Sequence, residues 1–341
     1  MHKVQARNSH LLTCPCFFGE VMAKVTIIGA SGKVGQFAAY SVSQIPFVTK
    51  MVLFGRKGNE NVLEGTKWDF IDSFAALGRN LKLIWSIDPA EIQDSDIVII
   101  TAGIPRQNGQ DRLDLAKKNA LLIANYAKMI SQNAPDSIIL VVSNPVDVMT
   151  AVALKYSGFP QNRVFGLGTH LDSMRLKSFV ANHFQVHVSE VHTRIIGEHG
   201  DSMVPLWSAT TIGGIQIRNL PAFASLPKEE MVHWVRTAGS HIIEKSGATI
   251  YGPGAAIASL VKTVLGNENR ILTVSAYIKS EVHDIGNVCI GVPARLNCQG
   301  AFPIPIRIAE DEVKEFQASV EKIRIVTAEV IEELELSLKK K

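Results

Sequence analysis

Short runs of aliphatic and β-branched residues recur through the first half of the chain: Val25 to Ile28, Met51 to Phe54, Leu81 to Trp85, Ile97 to Thr101 and Ile138 to Val142. They are continuous rather than alternating in polarity, the pattern of strands covered on both faces of a parallel sheet. Helix-period spacing of apolar positions separates them, over Lys33 to Ile45, Asn61 to Ala75 and Arg112 to Ser131. Strand and helix in alternation predict an open α/β sheet. After about Pro145 the rhythm changes. A helix is expected over Leu171 to His183, hairpin-like runs at Val191 to Ile196 and Ile212 to Ile217, and a helix near Lys228 to Ser246. Strands follow near Leu272 to Ile278, Val288 to Pro293 and Ile304 to Ile308, then a terminal helix over Asp311 to Leu338. This second part reads as mixed α+β, so a boundary is placed between 24–146 and 147–341.

Composition narrows the class without naming a chemistry. A chain of 341 residues, 46% hydrophobic and 20% charged, has enough apolar material for two sizeable cores. A net charge of +3 is too mild to suggest nucleic acid, and the one run of lysines, Lys339 to Lys341, reads as a solvated tail. The longest apolar stretches are strand-sized, far short of a membrane span. Cys14, Cys16, Cys289 and Cys298 form no metal-ligand spacing; they are expected as reduced thiols in a cytoplasmic protein, with no metal site. Residues 1–23 are expected to be a disordered N-terminal extension. Their apolar patch, Phe17-Phe18, is too brief for a signal-peptide core and is followed at once by Glu20.

The first strand runs into Gly29-Ala30-Ser31-Gly32-Lys33-Val34-Gly35 and then into a helix. Glycines there permit a tight turn and let a pyrophosphate approach main-chain N–H groups at the helix N-terminus. The spacing is one residue longer than the usual dinucleotide fingerprint, and a plain strand-to-helix turn is the competing reading; placement between strand and helix favours the dinucleotide. A mononucleotide P-loop is excluded, because Gly32-Lys33 would need a glycine where Ile27 stands and a hydroxyl where Val34 stands. The expected fold class is therefore α/β, a Rossmann-type doubly wound parallel sheet forming a dinucleotide-binding domain over 24–146, followed by a mixed α+β substrate or catalytic domain.

The end of the second strand bears on which dinucleotide is held. An acidic residue there would bond the ribose hydroxyls of NAD, but the chain reads Phe54-Gly55-Arg56-Lys57. Gly55 removes bulk and repulsion, and Arg56, with Ser31 and Lys33, is suited to a 2′-phosphate. A basic turn in solvent is the competing reading. The cofactor expected is NADP, with NAD still usable.

Arg106, Arg112 and Arg175 share the chain with His199. Cations suit a small anionic substrate, and a histidine passes a proton near neutral pH. The simplest joint reading is nicotinamide-dependent redox chemistry on a small carboxylate anion. Five segments from Lys24 onward resemble the lactate and malate dehydrogenases: the glycine turn, the Pro105-Arg106 loop, Ser143-Asn144-Pro145-Val146-Asp147, Gly166 to Arg175, and Gly197-Glu198-His199-Gly200-Asp201-Ser202. The Gly-Ala-Ser-Gly turn and the Phe-Gly-Arg strand end are most similar to archaeal-type NAD(P)-dependent malate dehydrogenases.

The resemblance implies roles. His199 matches the acid/base histidine, and Asp172 the carboxylate that holds the imidazole and raises its pKa. Arg175 matches the guanidinium that grips the C1 carboxylate, and Arg112 the loop arginine that polarises the carbonyl. Arg106 matches the position that reads the substrate's far end; a guanidinium there favours a second carboxylate, so oxaloacetate over pyruvate. Asn144 matches a residue bonding substrate and placing the nicotinamide, Val142 and Ser143 supply main-chain cofactor contacts, and Asn119 matches a cofactor-contacting position. Gly103 and Gly109 are candidate hinges for a lid. The activity implied is reversible hydride transfer between NAD(P)H and oxaloacetate, giving (S)-malate, in a homodimer or homotetramer. A lactate or other 2-hydroxy acid dehydrogenase is the alternative, and a dinucleotide-binding protein without turnover a more distant one.

Overall fold

The computed structural model describes residues 22–104 and 112–339, with the side chains of residues 112–114 excepted. The expectation for the N-terminal extension, and those for Cys14, Cys16, Arg106, Gly109 and the Arg112 side chain, lie outside the described residues. The first part comprises β1 (Ala23–Ile28), α1 (Lys33–Ser43), β2 (Val48–Phe54), α2 (Glu60–Ala76), β3 (Lys82–Ser86), β4 (Ile97–Ile100), α3 (Arg112–Asn133), β5 (Ile138–Val141), α4 (Val146–Ser157) and β6 (Val164–Gly166). These strands pair in parallel in the order β3-β2-β1-β4-β5-β6.

Continuous apolar strands have a direct structural reason here. Val25, Ile27, Met51, Leu53, Ile97 and Ile99 pack on the face that carries Ala38 and Ala39 of α1 and Leu63, Phe70 and Phe74 of α2. Their alternates Ile28, Val52, Phe54, Val98 and Ile100 pack on the opposite face with α3 and α4. Every position is covered by helices from one side or the other, so no polar alternation is needed. At about 25 cal/mol per Å2 of apolar surface, this double burial is the main force holding the sheet.

The second part begins with α5 (His170–Phe184), then the short strands β7 (Val191–His192), β8 (Ile195–Gly197), β9 (Met203–Pro205), β10 (Thr211–Ile212) and β11 (Ile215–Gln216). It ends with α6 (Lys228–Ser246), α7 (Tyr251–Leu265), β12 (Arg270–Ile278), β13 (Val288–Asn297), β14 (Gly300–Pro303) and α8 (Glu310–Lys339). The main sheet continues from β6 through β12, β13, β8 and β9, with β14 against β13, while β7, β10 and β11 form a separate small sheet. The run at Val191 to Ile196 is thus shared: β7 pairs β10, and β8 turns to pair β13 and β9.

Three sequence expectations are corrected. The strand placed at Ile304 to Ile308 lies at Gly300–Pro303, because Gly300, at φ 116°, turns the chain back against β13 and Pro303 and Pro305 then remove donors. Helices α4 and α7, absent from the sequence reading, are both present. Cys298 is disulfide-bonded rather than reduced; it lies half-buried in the turn between β13 and β14, while Cys289 is a buried free thiol. Among the described residues no helix is long and apolar enough to cross a membrane, and no three His, Cys, Asp or Glu side chains cluster to hold a metal.

Candidate active site

The glycine turn joins β1 to α1 in a space closed to side chains. Gly29 has φ 89°, and a Cβ there would lie 2.6 Å from the Ala102 nitrogen; one on Gly35 would lie 2.3 Å from the Gly29 oxygen. The turn is held by Gly32 N–H donating to Gly29 O at 3.0 Å and Thr101 Oγ1 donating to Ile28 O at 2.9 Å. No side chain caps α1. Its first-turn N–H groups are therefore left to water or to an anion, the arrangement a pyrophosphate requires. Ser31 and Val34 are half-buried around this turn, Ala30 is buried, and Lys33 is exposed.

The carboxyl ends of β1, β4 and β5 meet beside it, where the strand order reverses between β1 and β4. Ser143 Oγ donates to Ala102 O at 2.5 Å, tying the end of β5 to that of β4. Asn119, buried on α3, accepts from Ile104 N–H at 2.8 Å and donates through Nδ2 to Asn144 O at 2.9 Å. Both ends of its amide are thus engaged by main chain, so it braces the two strand-end segments. Val142 is half-buried and Asn144 exposed at the same edge. After β2, Gly55 N–H donates to Ser86 O at 3.0 Å, and a Cβ at Gly55 would lie 2.6 Å from Leu63 Cδ1. Arg56 follows it, exposed, with its charge acting on Tyr126 of α3.

His199 and Asp172 come together because β8 is bolted to the start of α5. Thr169 Oγ1 donates to Ile195 O at 2.5 Å, and Ile195 N–H donates to Ser173 Oγ at 2.9 Å. Gly197 then turns the chain at φ 88°. The loop beyond is fixed to α8: Glu198 accepts from Lys322 Nζ at 2.7 Å and from Ser202 Oγ at 2.6 Å, and Ser319 Oγ accepts from Glu198 N–H at 2.8 Å. Burial would push Glu198 up, but these donors outweigh it and hold the carboxyl below its usual range.

The result is a charged triad. Asp172, 1% exposed, places Oδ2 2.5 Å from His199 Nδ1 and Oδ1 3.3 Å from Arg175 Nη1. The Asp172 charge is the largest influence on His199 and, against the desolvation that burial imposes, lifts its pKa to about 9. The ring is imidazolium at neutral pH, with Nδ1 committed to Asp172 and Nε2 without a hydrogen-bond partner among the described residues. It remains 27% exposed, open to a partner. His170, two residues before Asp172, behaves oppositely: burial, then Arg270 and Arg194, depress it to about 4, and it stays neutral. A second carboxylate, Asp147 in the first turn of α4, accepts from His199 N–H at 2.9 Å and is 2% exposed. Sequence reasoning gave Asp147 no role; its place in Asn144-Pro145-Val146-Asp147 was the available signal.

Comparison with known proteins shows the family of the chain. Residues 23–166 match the family model described as lactate/malate dehydrogenase, NAD binding domain, and residues 169–334 that described as lactate/malate dehydrogenase, alpha/beta C-terminal domain. A malate dehydrogenase of Methanothermobacter marburgensis is 46% identical over 322 residues, covering 92% of this chain and 99% of that protein. An L-2-hydroxycarboxylate dehydrogenase (NAD(P)(+)) of Methanocaldococcus jannaschii is 47% identical over 310 residues, covering 90% and 99%. Among solved structures, the malate dehydrogenase of Salinibacter ruber has a TM-score of 0.83 at 34% identity, covering 92% of this chain and 99% of that one.

Proposed function

The chain belongs to the lactate/malate dehydrogenase family, and on that premise we propose that it catalyses reversible hydride transfer between NAD(P)H and oxaloacetate, giving (S)-malate. The observation that carries the reading is the imidazolium of His199 held by Asp172, with Arg175 on the same carboxylate. Such a pair suits a proton donor and an anion clamp side by side, which a protein that only bound dinucleotide would not need.

Each group has a task in reduction. The dihydronicotinamide supplies a hydride to the C2 carbonyl carbon when bound. His199 gives the Nε2 proton to the carbonyl oxygen, and the imidazole left behind is stabilised in its neutral tautomer by Nδ1–H donating to Asp172. Arg175 holds the C1 carboxylate, Arg112 stabilises the charge that develops on the carbonyl oxygen, and Arg106 pairs with the far carboxylate. In the reverse direction neutral His199 takes the hydroxyl proton. The Gly29 to Gly35 turn with Ala30, Ser31, Gly32, Lys33 and Val34 would hold the pyrophosphate, Gly55 and Arg56 the adenosine ribose or its 2′-phosphate, and Val142, Ser143 and Asn144 the nicotinamide side, with Asn119 bracing them. The division into a dinucleotide domain and a substrate domain near residue 146 belongs to the same proposal, as does a homodimeric or homotetrameric assembly, for which exposed Trp68, Trp234 and Ile243 offer apolar surface.

A broader substrate range is a second reading, favoured by the relative named for L-2-hydroxycarboxylates. Following nicotinamide absorbance with oxaloacetate, pyruvate and longer 2-keto acids, each with NADH and NADPH, separates the two. Highest kcat/KM on oxaloacetate is expected. Preference for a monocarboxylate, or no turnover of any keto acid, would overturn the proposal.

A further inference from the structure

Asp147 is a carboxylate in a place where a neutral side chain would meet the visible hydrogen-bonding need. It is buried in the first turn of α4; Oδ2 accepts the His199 main-chain N–H at 2.9 Å, and Oδ1 is buried without a hydrogen-bond partner among the described residues. An amide oxygen would accept the same bond without carrying a charge out of water, so the negative charge itself calls for a reason. Its surroundings supply one. Ser275 of β12, Cys289 of β13, and Glu198 and His199 of the loop after β8 face it. Glu198 repels it, the Ser275 side chain and then the His199 cation favour its charged form, and the Cys289 thiol, pushed up by burial and by Asp147, stays neutral. The action is mutual, since Asp147 adds to what Asp172 does in favouring the imidazolium, while Arg175 works against it.

We propose that Asp147 is a positioning residue for the proton-transferring histidine: from α4 it anchors the His199 main chain and supplies a second negative charge, while Asp172 holds the ring from α5. The inference rests on the reading of His199 as the proton carrier and extends it to a group that touches neither substrate nor cofactor. Two carboxylates on different elements then flank the imidazolium, one bonded to its ring and one to its peptide. Burial raises Asp147 to about 6, so the second charge is present at neutral pH and is lost in mild acid.

The test is the pH profile of Asp147→Asn, which keeps an acceptor for the His199 N–H and removes the charge. Oxaloacetate reduction should lose its alkaline limb roughly one pH unit earlier than in the unmutated protein, with kcat lowered and the KM for NADPH unchanged. An alkaline limb at the same pH in both proteins would overturn the proposal. Should the variant fail to fold, histidine-labelled NMR of the unmutated protein decides: the His199 ring signal, assigned by its loss in His199→Asn, should move once near its own pKa of about 9 and again near the Asp147 value of about 6. A single inflection would refute the link. Failure of the broader functional reading has a different signature, namely no keto-acid reduction by the unmutated protein, and leaves the NMR titration interpretable.

Discussion

Asp172 Oδ2 lies 2.5 Å from His199 Nδ1, and this contact sets the protonation state of the imidazole, lifting it to about 9. The direction of chemistry then follows pH. Reduction needs the imidazolium and should decline as pH rises through about 9; oxidation needs the neutral ring and should rise over the same interval. Asp172→Asn keeps the shape and removes the charge, so both midpoints should move to lower pH and kcat/KM at neutral pH should fall on the order of 100-fold or more. Steady-state pH profiles in both directions check this, and an unmoved midpoint in the variant would contradict the assignment.

How much of this was legible in the sequence depended on how local each signal is. Ile97–Ile100 and Ile138–Val141 announce themselves because a strand buried on both faces must be apolar at every position. α4 does not, because Val146, Val148, Met149, Val152 and Ala153 bury several sides of it and blur its period. α7 opens Tyr251-Gly252-Pro253-Gly254, which reads as a turn, yet a proline in the first turn of a helix removes no hydrogen bond. The approach of His199 to Asp172 joins residues far apart in sequence through Thr169, Ser173 and Ile195, so spacing alone does not reveal it, and resemblance pointed to it. The bond from His199 N–H to Asp147 had no sequence signal beyond proximity to a landmark.

Arg106 should divide dicarboxylates from monocarboxylates. Replacing it with glutamine leaves oxaloacetate's far carboxylate without a charged partner, a loss of roughly 2–5 kcal/mol that corresponds to about 30-fold or more in kcat/KM. Pyruvate has no carboxylate at that end, so its turnover should hold or improve in Arg106→Gln. Competing assays on the two keto acids read the ratio directly, and equal losses on both would remove Arg106 from its discriminating role.

The ratio of NADP to NAD efficiency should depend on Arg56, which is exposed beside a position, Gly55, that offers no carboxylate. A charge-assisted bond to the 2′-phosphate contributes about 1.5–3 kcal/mol, so Arg56→Ala should lower that ratio by roughly tenfold or more while NAD kinetics barely change. If the ratio stayed constant, the phosphate would have to be held elsewhere.

Two glycines should respond to alanine in opposite ways. A Cβ on Gly35 would meet the Gly29 carbonyl oxygen at 2.3 Å, so the turn must deform; Gly35→Ala should destabilise the protein by roughly 1–3 kcal/mol and weaken NADPH binding at least tenfold. Gly65, inside α2, has nothing within 4 Å of an added Cβ, and Gly65→Ala should stabilise by about 0.5–1 kcal/mol without touching cofactor affinity. Thermal melting and fluorescence titration with NADPH distinguish the two; a Gly35→Ala protein that bound cofactor normally would argue against the turn as the pyrophosphate seat.

Acid stability should carry the mark of His170, buried at the start of α5 with Nε2 lacking a hydrogen-bond partner among the described residues. Its folded-state pKa of about 4 lies below the ordinary value of 6.5, so between those limits the unfolded chain binds more protons and stability rises with pH. The contribution is complete above pH 6.5 and is lost as pH falls through about 4, amounting to roughly 3 kcal/mol at the acid end. His170→Gln removes this titration and leaves every other group in place. Subtracting the variant's denaturant-derived stability from that of the unmutated protein at each pH cancels contributions common to both, including those of Asp147 and His199. The difference should be flat above pH 6.5 and fall in the protein's disfavour toward pH 4; a difference independent of pH would mean that His170 titrates alike in the folded and unfolded chain, and would contradict its depression by burial.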